Sequence, residues 1–328
     1  MGKIIKKIVI YSILVLLLLE GLVRIFHLHN EVPRRFADDK GVEKWVPNQS
    51  DYSITGNRKQ NVGHYRINDF GFNSVHENYQ PKSDAFEIAL VGDSFIEGFH
   101  EDYINSLGQQ IEKSLTNTTV LEFGYAGYDL ADELNLIHAY KDLFDKIDYT
   151  FIYLRFTDDL DRGAYEESSR LSLDTPISRV AKQVKLLVYL KDIGALDPLL
   201  QLPGRIKGFI SGTKESIPTD AEVAAQEKLK QEQSLENFKK LVATYPIDKE
   251  KFTFLLDSSL CSPEYLSFLK EQNYTYLDIN TVLSTSKEAT TLVYDQHWSK
   301  HGRKLIADLV SKSMLAPTSS YAHFRNLK

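Results

Sequence analysis

The fold is decided by residues 86–95, which read FEIALVGDSF. Residues 86–91 are almost continuously apolar, as in a strand that is buried on both faces of a parallel sheet. Gly92, Asp93 and Ser94 follow directly, so Ser94 falls at the carboxyl edge of that sheet, where open α/β folds bind ligands. The stretch therefore predicts a serine hydroxyl displayed at a ligand-binding edge. Gly-Asp-Ser on its own could equally be a turn that caps a helix.

Apolar runs of the same kind recur along the chain and alternate with helical patterns. The other runs are residues 118–123, 149–156, 252–256 and, more weakly, 274–279. The helical patterns are residues 104–115, 130–144, 221–242, 263–271 and 302–313. Strands that alternate with helices predict a parallel sheet covered on both faces. We therefore expect an α/β fold, a three-layer α/β/α sandwich with a flavodoxin-like parallel sheet.

The N-terminus carries the pattern of a membrane anchor. Three lysines among the first seven residues precede an apolar run from Ile8 to Val23, which ends at Arg24. This run is slightly shorter than the roughly 20 residues of a spanning helix, but Lys7 and Arg24 can snorkel. No small-x-small site follows it, which favours an uncleaved signal anchor over a cleaved signal peptide. The positive-inside rule then keeps Met1 in the cytoplasm and places everything after about Arg24 outside, as a single-pass membrane protein.

Composition divides the rest of the chain and excludes some partners. After the tip and anchor (1–26) we expect a juxtamembrane stalk and N-terminal extension (27–82), the α/β domain (83–316) and a C-terminal tail (317–328). Residues 161–245 interrupt the strand–helix rhythm and are expected to form a helical, substrate-shaping insertion. The net charge of −6 argues against nucleic-acid binding, which needs clustered Lys and Arg. The single cysteine excludes an intrachain disulfide and a cysteine metal cage, and the sequence specifies no oligomeric state.

A second chemical motif lies near the C-terminus, where residues 294–299 read YDQHWS and open the last predicted helix. An Asp two residues before a His in this loop can place both side chains over the edge that carries Ser94. His297 would then take the Ser94 proton, and Asp295 would stabilise the imidazolium. The pair could also be a surface turn or half of a metal site. No second cluster with ligand spacing supports a metal, so neither a metal nor a cofactor is expected.

Two further motifs follow predicted strands. Gly124-Tyr-Ala-Gly127-Tyr comes after the second strand, and Thr157-Asp158-Asp159 comes after the third. A glycine at such a position lets the backbone approach a ligand and offers its N–H to a developing oxyanion. Each motif alone would be an ordinary strand-ending turn. Four such signals at four strand or loop ends together predict an active site.

With these four blocks in this order, the sequence resembles the SGNH (GDSL-type) hydrolase superfamily and its bacterial signal-anchored members. The resemblance covers about residues 82–316 without the insertion. It implies that Ser94 is the nucleophile, that His297 and Asp295 complete the triad, and that the Ser94 and Gly127 amides hold the oxyanion. Two departures stand out: Asp158 replaces the asparagine that donates to the oxyanion in the family, and the Asp–His spacing is one residue shorter.

The resemblance and the expected outside location imply a membrane-anchored serine esterase or acyl-transfer enzyme. Its substrate would be an O-acyl ester, acetyl among them, of an extracytoplasmic glycan, and membrane lipid would surround the N-terminal helix. By its position Asp158 is expected in the oxyanion hole, but an ionised Asp158 cannot donate a hydrogen bond to an oxyanion. It could donate if an apolar site raised its pKa enough to keep it protonated, or a neighbouring residue could supply the donor. The alternative is therefore a catalytically impaired polysaccharide-binding or assembly protein of the same fold. A soluble cytoplasmic esterase is a weaker alternative, which cell fractionation would test.

Overall fold

The computed structural model describes residues 2–56, 59–81, 84–173, 175–200 and 219–322. Parts of the predicted insertion (201–218) and of the predicted tail (323–328) therefore lie outside the described residues. The strands are β1 (Arg35–Ala37), β2 (Glu43–Trp45), β3 (Ser50–Thr55), β4 (Asn61–Arg66), β5 (Phe86–Gly92), β6 (Thr118–Gly124), β7 (Tyr149–Tyr153), β8 (Phe252–Leu256) and β9 (Thr275–Asp278). The helices before the sheet's third strand are α1 (Gly2–Ile25), α2 (Ser94–Glu97), α3 (Leu107–Ser114), α4 (Leu130–Ala139) and α5 (Lys141–Phe144). Those after it are α6 (Pro176–Gln183), α7 (Lys185–Asp192), α8 (Asp197–Leu200), α9 (Asp220–Thr244), α10 (Pro263–Glu271), α11 (Asn280–Leu283) and α12 (Lys300–Leu315).

The central sheet confirms the predicted fold class. Its five strands are all parallel and lie in the order β6-β5-β7-β8-β9. This is the flavodoxin-like order, with β5 beside both β6 and β7. The chain adds β6 on one side of β5 and the later strands on the other side, so the carboxyl ends of β5, β6 and β7 form the switch point at which such sheets bind ligands.

The residue pattern of β5 shows how the sheet is covered on both faces. Ala89 and Val91 belong to a core shared with α4, α9 and α10. Ile88 and Leu90, on the opposite face, belong to a second core shared with α3 and α12. All seven residues of β5 are buried, which is why this strand is continuously apolar rather than alternating.

Two predicted elements are shorter than their apolar patterns because polar side chains end them. The predicted strand 149–156 ends at Tyr153, since the Asp159 carboxylate accepts the Arg155 backbone N–H at 2.6 Å and closes a turn. The predicted helix 130–144 breaks at Tyr140, whose hydroxyl hydrogen-bonds Lys44 from the N-terminal extension. Local hydrogen bonding and tertiary contacts override the hydrophobic run in both places.

The segment predicted as a stalk and extension contributes to the main core. β1 pairs with β2 and β3 pairs with β4, each antiparallel. Trp45, Tyr65, Phe72 and Tyr79 from this segment are buried in the same core as α4 and α9. The extension is therefore packed on the α/β domain.

The long charged helix α9 belongs partly to the predicted insertion and partly to the sheet. Its first half is exposed, whereas Phe238 and Leu241 in its second half are fully buried against the sheet. Asn237 also donates a hydrogen bond to the Leu160 carbonyl at 2.8 Å. The second half of α9 is thus the crossover helix between β7 and β8, and we propose that the insertion proper ends within α9.

Helix α1 is long and apolar enough to cross a membrane or to serve as a signal sequence. Its 24 residues span about 36 Å, and its best 18-residue window has a mean hydropathy of 2.4. Among its residues, only Val23 is buried against the part of the protein that the structure describes. The helix is longer than the apolar run, because it includes the lysine-bearing turns at its start.

Candidate active site

The turn after β5 sets the position of Ser94. Asp93 caps α2, and its carboxylate accepts the Phe95 backbone N–H at 2.8 Å, so Ser94 is the first residue of the helix. A Cβ at Gly92 would come 2.4 Å from Ile96 Cγ1, so only glycine allows α2 to begin this close to the strand. These local constraints hold the serine hydroxyl at the carboxyl edge of the sheet.

The loop after Thr291 brings His297 to the same edge. The Leu292 backbone N–H donates to the His297 carbonyl at 2.7 Å, and Gln296 turns the chain with a φ of +62°. The Ser94 hydroxyl lies 2.8 Å from His297 Nε2. The structure therefore brings together the predicted nucleophile and base, which are 203 residues apart in the sequence.

Asp295 is shared between two histidines. Its Oδ1 accepts the His297 backbone N–H at 3.1 Å, and its Oδ2 lies 3.4 Å from His297 Nδ1. The same Oδ2 lies closer, at 2.8 Å, to Nε2 of His100. Within the described residues, His297 Nδ1 is buried and makes no hydrogen bond. The predicted triad acid is thus beside its histidine, but its shorter contact is with His100.

Sequence reasoning missed His100. Its ring stacks on that of His297, with ring centroids 3.9 Å apart and planes 22° apart. His100 follows Ser94 by six residues, just after Gly98 ends the four-residue helix α2. A histidine so soon after a short helix can return to the nucleophile's edge of the sheet, and this spacing is the signal that could have identified it.

Both histidines are held in their neutral forms. Burial, with the nearby His297, lowers the pKa of His100 to about 3. Burial also lowers the pKa of His297, although the Asp295 carboxylate opposes this effect. His297 is consequently unprotonated at neutral pH, which is the state that a general base needs.

The same three side chains are the group that could hold a metal ion in the described part of the chain. Ligand atoms of His100, Asp295 and His297 all lie within 4.8 Å of one another. However, the two imidazole planes are nearly parallel, so their lone pairs run side by side instead of converging on one point. His297 Nε2 is also engaged with Ser94. This geometry fits a proton-transfer site better than a metal centre.

Asp158 lies in the cleft as a hydrogen-bond acceptor. Its side chain is 53% exposed, it accepts the Thr157 hydroxyl at 3.0 Å, and it lies 3.3 Å from Arg155 Nη1. The guanidinium of Arg155 also lies 3.0 Å from Asp93 Oδ2 and 5.4 Å from the centre of the Phe95 ring. Arg155, which sequence reasoning did not single out, brings a positive charge beside the nucleophile.

The loop of Gly127 lies against a different set of side chains. Gly127 has a φ of +89°, and a Cβ there would come 1.9 Å from Arg170 Nη1, so the position requires glycine. The neighbouring Ala126 backbone N–H donates to the buried Glu97 carboxylate at 3.0 Å. Gly127 is not among the described residues that line the cleft of Ser94. Its predicted role as an oxyanion donor stays a prediction.

Buried carboxyl groups lie beneath the nucleophile. Burial raises the pKa of Asp93 despite the nearby Arg155, and it raises the pKa of Asp159 well above its ordinary value. Burial has the same effect on the pKa of Glu133, whose two oxygens have no hydrogen-bond partner among the described residues. Burial therefore disfavours the charged forms of these carboxyl groups, whereas Arg155 pairs with Asp93 and Asp159 among them.

A cleft of about 750 Å³ opens over Ser94 and His297. Its walls combine apolar side chains such as Leu260 and Leu283 with polar ones such as Thr157 and Asp257. Trp298 is only 2% exposed and forms part of the wall. The cleft is large enough for an ester with a bulky polar alcohol portion.

Solved structures with a similar fold include three proteins described as lipolytic or acylhydrolase. A lipolytic protein of the G-D-S-L family from Desulfitobacterium hafniense is 15% identical, with 69% of this chain and 98% of that chain covered and a TM-score of 0.37. The lipase/acylhydrolase from Enterococcus faecalis is 11% identical, with 70% and 94% covered and a TM-score of 0.38. A member of the lipolytic G-D-S-L family from Veillonella parvula is 12% identical, with 71% and 100% covered and a TM-score of 0.35.

No protein-family model and no curated protein matches the sequence. The identities and TM-scores of the solved structures are low. The function proposed below therefore rests on the residues of this chain.

Proposed function

We propose that the chain is an SGNH-type serine esterase or acyl-transfer enzyme, anchored in a membrane by α1. The observation that carries this proposal is the 2.8 Å contact between the Ser94 hydroxyl and His297 Nε2 at the carboxyl edge of a parallel sheet. A nucleophile and a base at hydrogen-bond distance, with a carboxylate beside the base, form the minimal apparatus of acyl transfer.

The reaction proceeds in two steps. Ser94 Oγ attacks the ester carbonyl carbon while its proton moves to His297 Nε2, which gives a tetrahedral oxyanion. This oxyanion collapses as the alkoxide leaves and takes the proton from His297, so that an acyl-enzyme and a free alcohol result. A water molecule or a sugar hydroxyl then attacks the acyl-enzyme, with His297 as base, and Ser94 is released.

Asp295 and His100 act on His297 rather than on the ester. When His297 becomes an imidazolium, Asp295 can shorten its 3.4 Å contact to His297 Nδ1 and stabilise the positive charge. His100 holds the other side of the same carboxylate oxygen at 2.8 Å. Because His100 is neutral, it can stack on the imidazolium without repelling it. His100 is therefore a positioning residue in this proposal.

The oxyanion would lie near the start of α2. Within the described residues, the Ser94 backbone N–H donates to no carbonyl or side chain, so it is available to the developing charge. Arg155 adds a permanent positive charge at the same wall of the cleft. We propose that Arg155 compensates for the missing asparagine at position 158, together with the Gly127 N–H.

The proposed substrate is an O-acyl ester, such as an acetyl ester, of an extracytoplasmic glycan. The mixed polar and apolar walls of the cleft suit a sugar ring, which presents both hydroxyl groups and apolar faces. The lysines in the first two turns of α1 favour an outside location for the domain. A hydrolase and a transferase differ in the acceptor that reaches the acyl-enzyme, which is water in the first and a sugar hydroxyl in the second.

One observation favours a second candidate, a polysaccharide-binding or assembly protein with an impaired site. Asp158 is an acceptor that cannot stabilise an oxyanion while it is ionised, and loss of one donor slows such reactions about a hundred- to thousandfold. The intact Ser94–His297 contact weighs against this candidate.

Hydrolysis of p-nitrophenyl acetate by the full-length chain in detergent micelles tests the proposal. Ser94→Ala should abolish the activity, whereas Ser114→Ala, an exposed serine on α3, should not change it. Acetylated polysaccharide, with and without an unacetylated acceptor glycan, then separates hydrolysis from transfer. Equal rates for wild type and Ser94→Ala on both substrates would contradict an enzymatic role and favour the binding protein.

A further inference from the structure

We propose that α6 and α7 form a hairpin that lies in the outer surface of the membrane beside α1. This inference rests on the proposed membrane anchoring by α1. The hairpin comprises residues 176–192 and contains two helices of eight residues each. Its proposed partner is the lipid bilayer itself, at the boundary between head groups and acyl chains.

The first observation is an exposed apolar stripe along the hairpin. Ile177 is 82% exposed, Val180 70%, Val184 41% and Leu187 45%. Ile177 and Val180 share one side of α6 by their spacing of three residues, whereas Val184 and Leu187 lie at the bend between the helices and in the first turn of α7. Four large aliphatic side chains exposed in a row have no stabilising role in water.

The second observation is that polar and basic side chains are exposed on the hairpin together with the aliphatic ones. Arg179, Lys182 and Gln183 line a cavity of about 790 Å³, whose other wall includes Pro33 and Gln49 of the N-terminal extension. A surface helix of a water-soluble domain turns its apolar side inward and its polar side outward. The hairpin buries Leu186 in this way, but it also leaves Ile177 and Val180 exposed beside Lys182, as expected for a helix that contacts both acyl chains and head groups.

The third observation is the attachment of the hairpin to α1. The Glu20 carboxylate accepts the backbone N–H groups of Lys185 at 3.0 Å and Leu186 at 2.7 Å, at the start of α7. Arg24 pairs with Glu20 at 2.7 Å and donates to the Gln183 carbonyl. These bonds explain why the apolar helix carries a glutamate, since its charge is satisfied by the hairpin.

The attachment also sets the depth of the hairpin. Glu20 lies four residues before Arg24, which is about 6 Å further into the membrane along α1. Interfacial helices bury their apolar side about 5–10 Å into the boundary between head groups and acyl chains. The two depths agree, so α1 and the hairpin form one membrane-binding unit.

Depth-dependent quenching of fluorescence tests the proposal on the full-length chain in vesicles of phosphatidylcholine and phosphatidylglycerol. Cys261, which is the single cysteine, is replaced by serine, and an environment-sensitive fluorophore is attached to Ile177→Cys or Val180→Cys. Leu14→Cys, in the middle of α1, is the reference for the anchor. Lys228→Cys, 79% exposed on α9, is the reference for water.

We expect lipids that carry a quencher near the head group to quench the labels at 177 and 180 at least threefold more than the label at 228. The hairpin proposal would be overturned if the label at 14 is quenched but the labels at 177 and 180 are quenched no more than the label at 228. That result would point to a protein partner. An unquenched label at 14 would overturn the membrane anchor and, with it, the hairpin. Hydrolysis of p-nitrophenyl acetate by each labelled protein checks that it is folded.

Discussion

Asp295 offers one carboxylate oxygen to two imidazole rings, and we expect this division to set the pKa of His297, the proposed base. His100→Phe keeps a stacked ring but removes the 2.8 Å contact to Asp295. Asp295 is then free to pair with His297, so the pKa of His297 should rise. We predict that the acidic limb of kcat/KM moves to higher pH and that kcat falls about tenfold, with KM little changed. An unchanged pH profile would contradict the positioning role, whereas a merely structural role would change protein yield and not the profile.

At position 158 this chain has an aspartate where the family it resembles has an asparagine. Asp158→Asn replaces an acceptor by an amide that can donate to an oxyanion, and it removes a negative charge from the cleft. We predict a rise in kcat of about tenfold or more, since one such donor is worth up to about a hundred- to thousandfold. The matched control is Asp161→Asn, an exposed position on the same turn region that pairs with Lys230. A fall in kcat would show that the Asp158–Arg155 pair is needed intact.

The pH dependence of the wild-type enzyme follows from the burial of His297. Burial lowers the pKa of His297 below the ordinary histidine value of about 6.5, so the base form persists to lower pH. The acidic limb of kcat/KM should therefore lie below pH 6.5, which a series of steady-state measurements from pH 4 to pH 8 would check. An acidic limb above about pH 7 would contradict a buried, neutral base.

At the scale of elements, helix α2 depends on the buried Glu97 at its end. The Glu97 carboxyl accepts the Trp45 indole N–H at 2.6 Å and the Ala126 backbone N–H at 3.0 Å. It thus ties the four-residue helix of the nucleophile to the N-terminal extension and to the loop of Gly127. Gly124 supports this contact, because a Cβ there would come 2.0 Å from the Glu97 backbone nitrogen.

Glu97 should make stability depend on pH. Burial raises its pKa from 4.5 to about 8, so the folded protein keeps a proton that the unfolded chain releases. This contribution to stability is present below about pH 4.5 and is lost as the pH rises through about 8. Glu97→Gln should therefore melt close to wild type at pH 5 and be more stable by about 2–4 kcal/mol at pH 9. Glu236→Gln, at an exposed position, is the control and should match wild type in stability at both pH values. If Glu97→Gln also matched wild type at both pH values, the buried acid would be contradicted.

The elements of the sheet could be predicted because each strand carries its own apolar pattern. Phe252–Leu256 and Pro263–Glu271 have the predicted limits, and β5 and β6 are one residue longer than their patterns. The early end of β7 could not be predicted, because it depends on the Asp159 side chain folding back onto the Arg155 amide. In the extension, residues 63–68 alternate enough to predict a short strand, which the structure has as β4, whereas the other short antiparallel strands carry little periodicity.

At the scale of the whole molecule, a site residue could be predicted only where the sequence around it carries a recognisable pattern. Ser94 and His297 follow a strand end and open a helix, so each has a signal in its own neighbourhood. His100 and Arg155 enter the site through tertiary packing, by ring stacking on His297 and by charge contacts with Asp93. His100 carries a local signal in its spacing of six residues from Ser94, but no pattern within a single stretch of sequence encodes the contacts between Arg155 and Asp93.

The proposed membrane unit and the proposed catalytic cleft are joined through the predicted insertion. The segment ahead of α6 brings Arg170 to the loop of Gly127, where its Nη1 donates to the Ala126 carbonyl at 3.2 Å. In the proposed arrangement, the insertion therefore contacts lipid through the α6–α7 hairpin and the active-site loop through Arg170. A substrate held near the membrane surface would then reach a cleft that lies at a fixed distance from the membrane.

The account depends most on whether His297 activates Ser94. Reaction of the full-length chain with a fluorophosphonate probe, followed by peptide mass spectrometry, measures this directly without a natural substrate or acceptor. We predict one covalent adduct, on Ser94, that is lost in His297→Ala although the serine is still present. Absence of the adduct in wild type, or equal labelling in His297→Ala, would contradict the catalytic role of the pair.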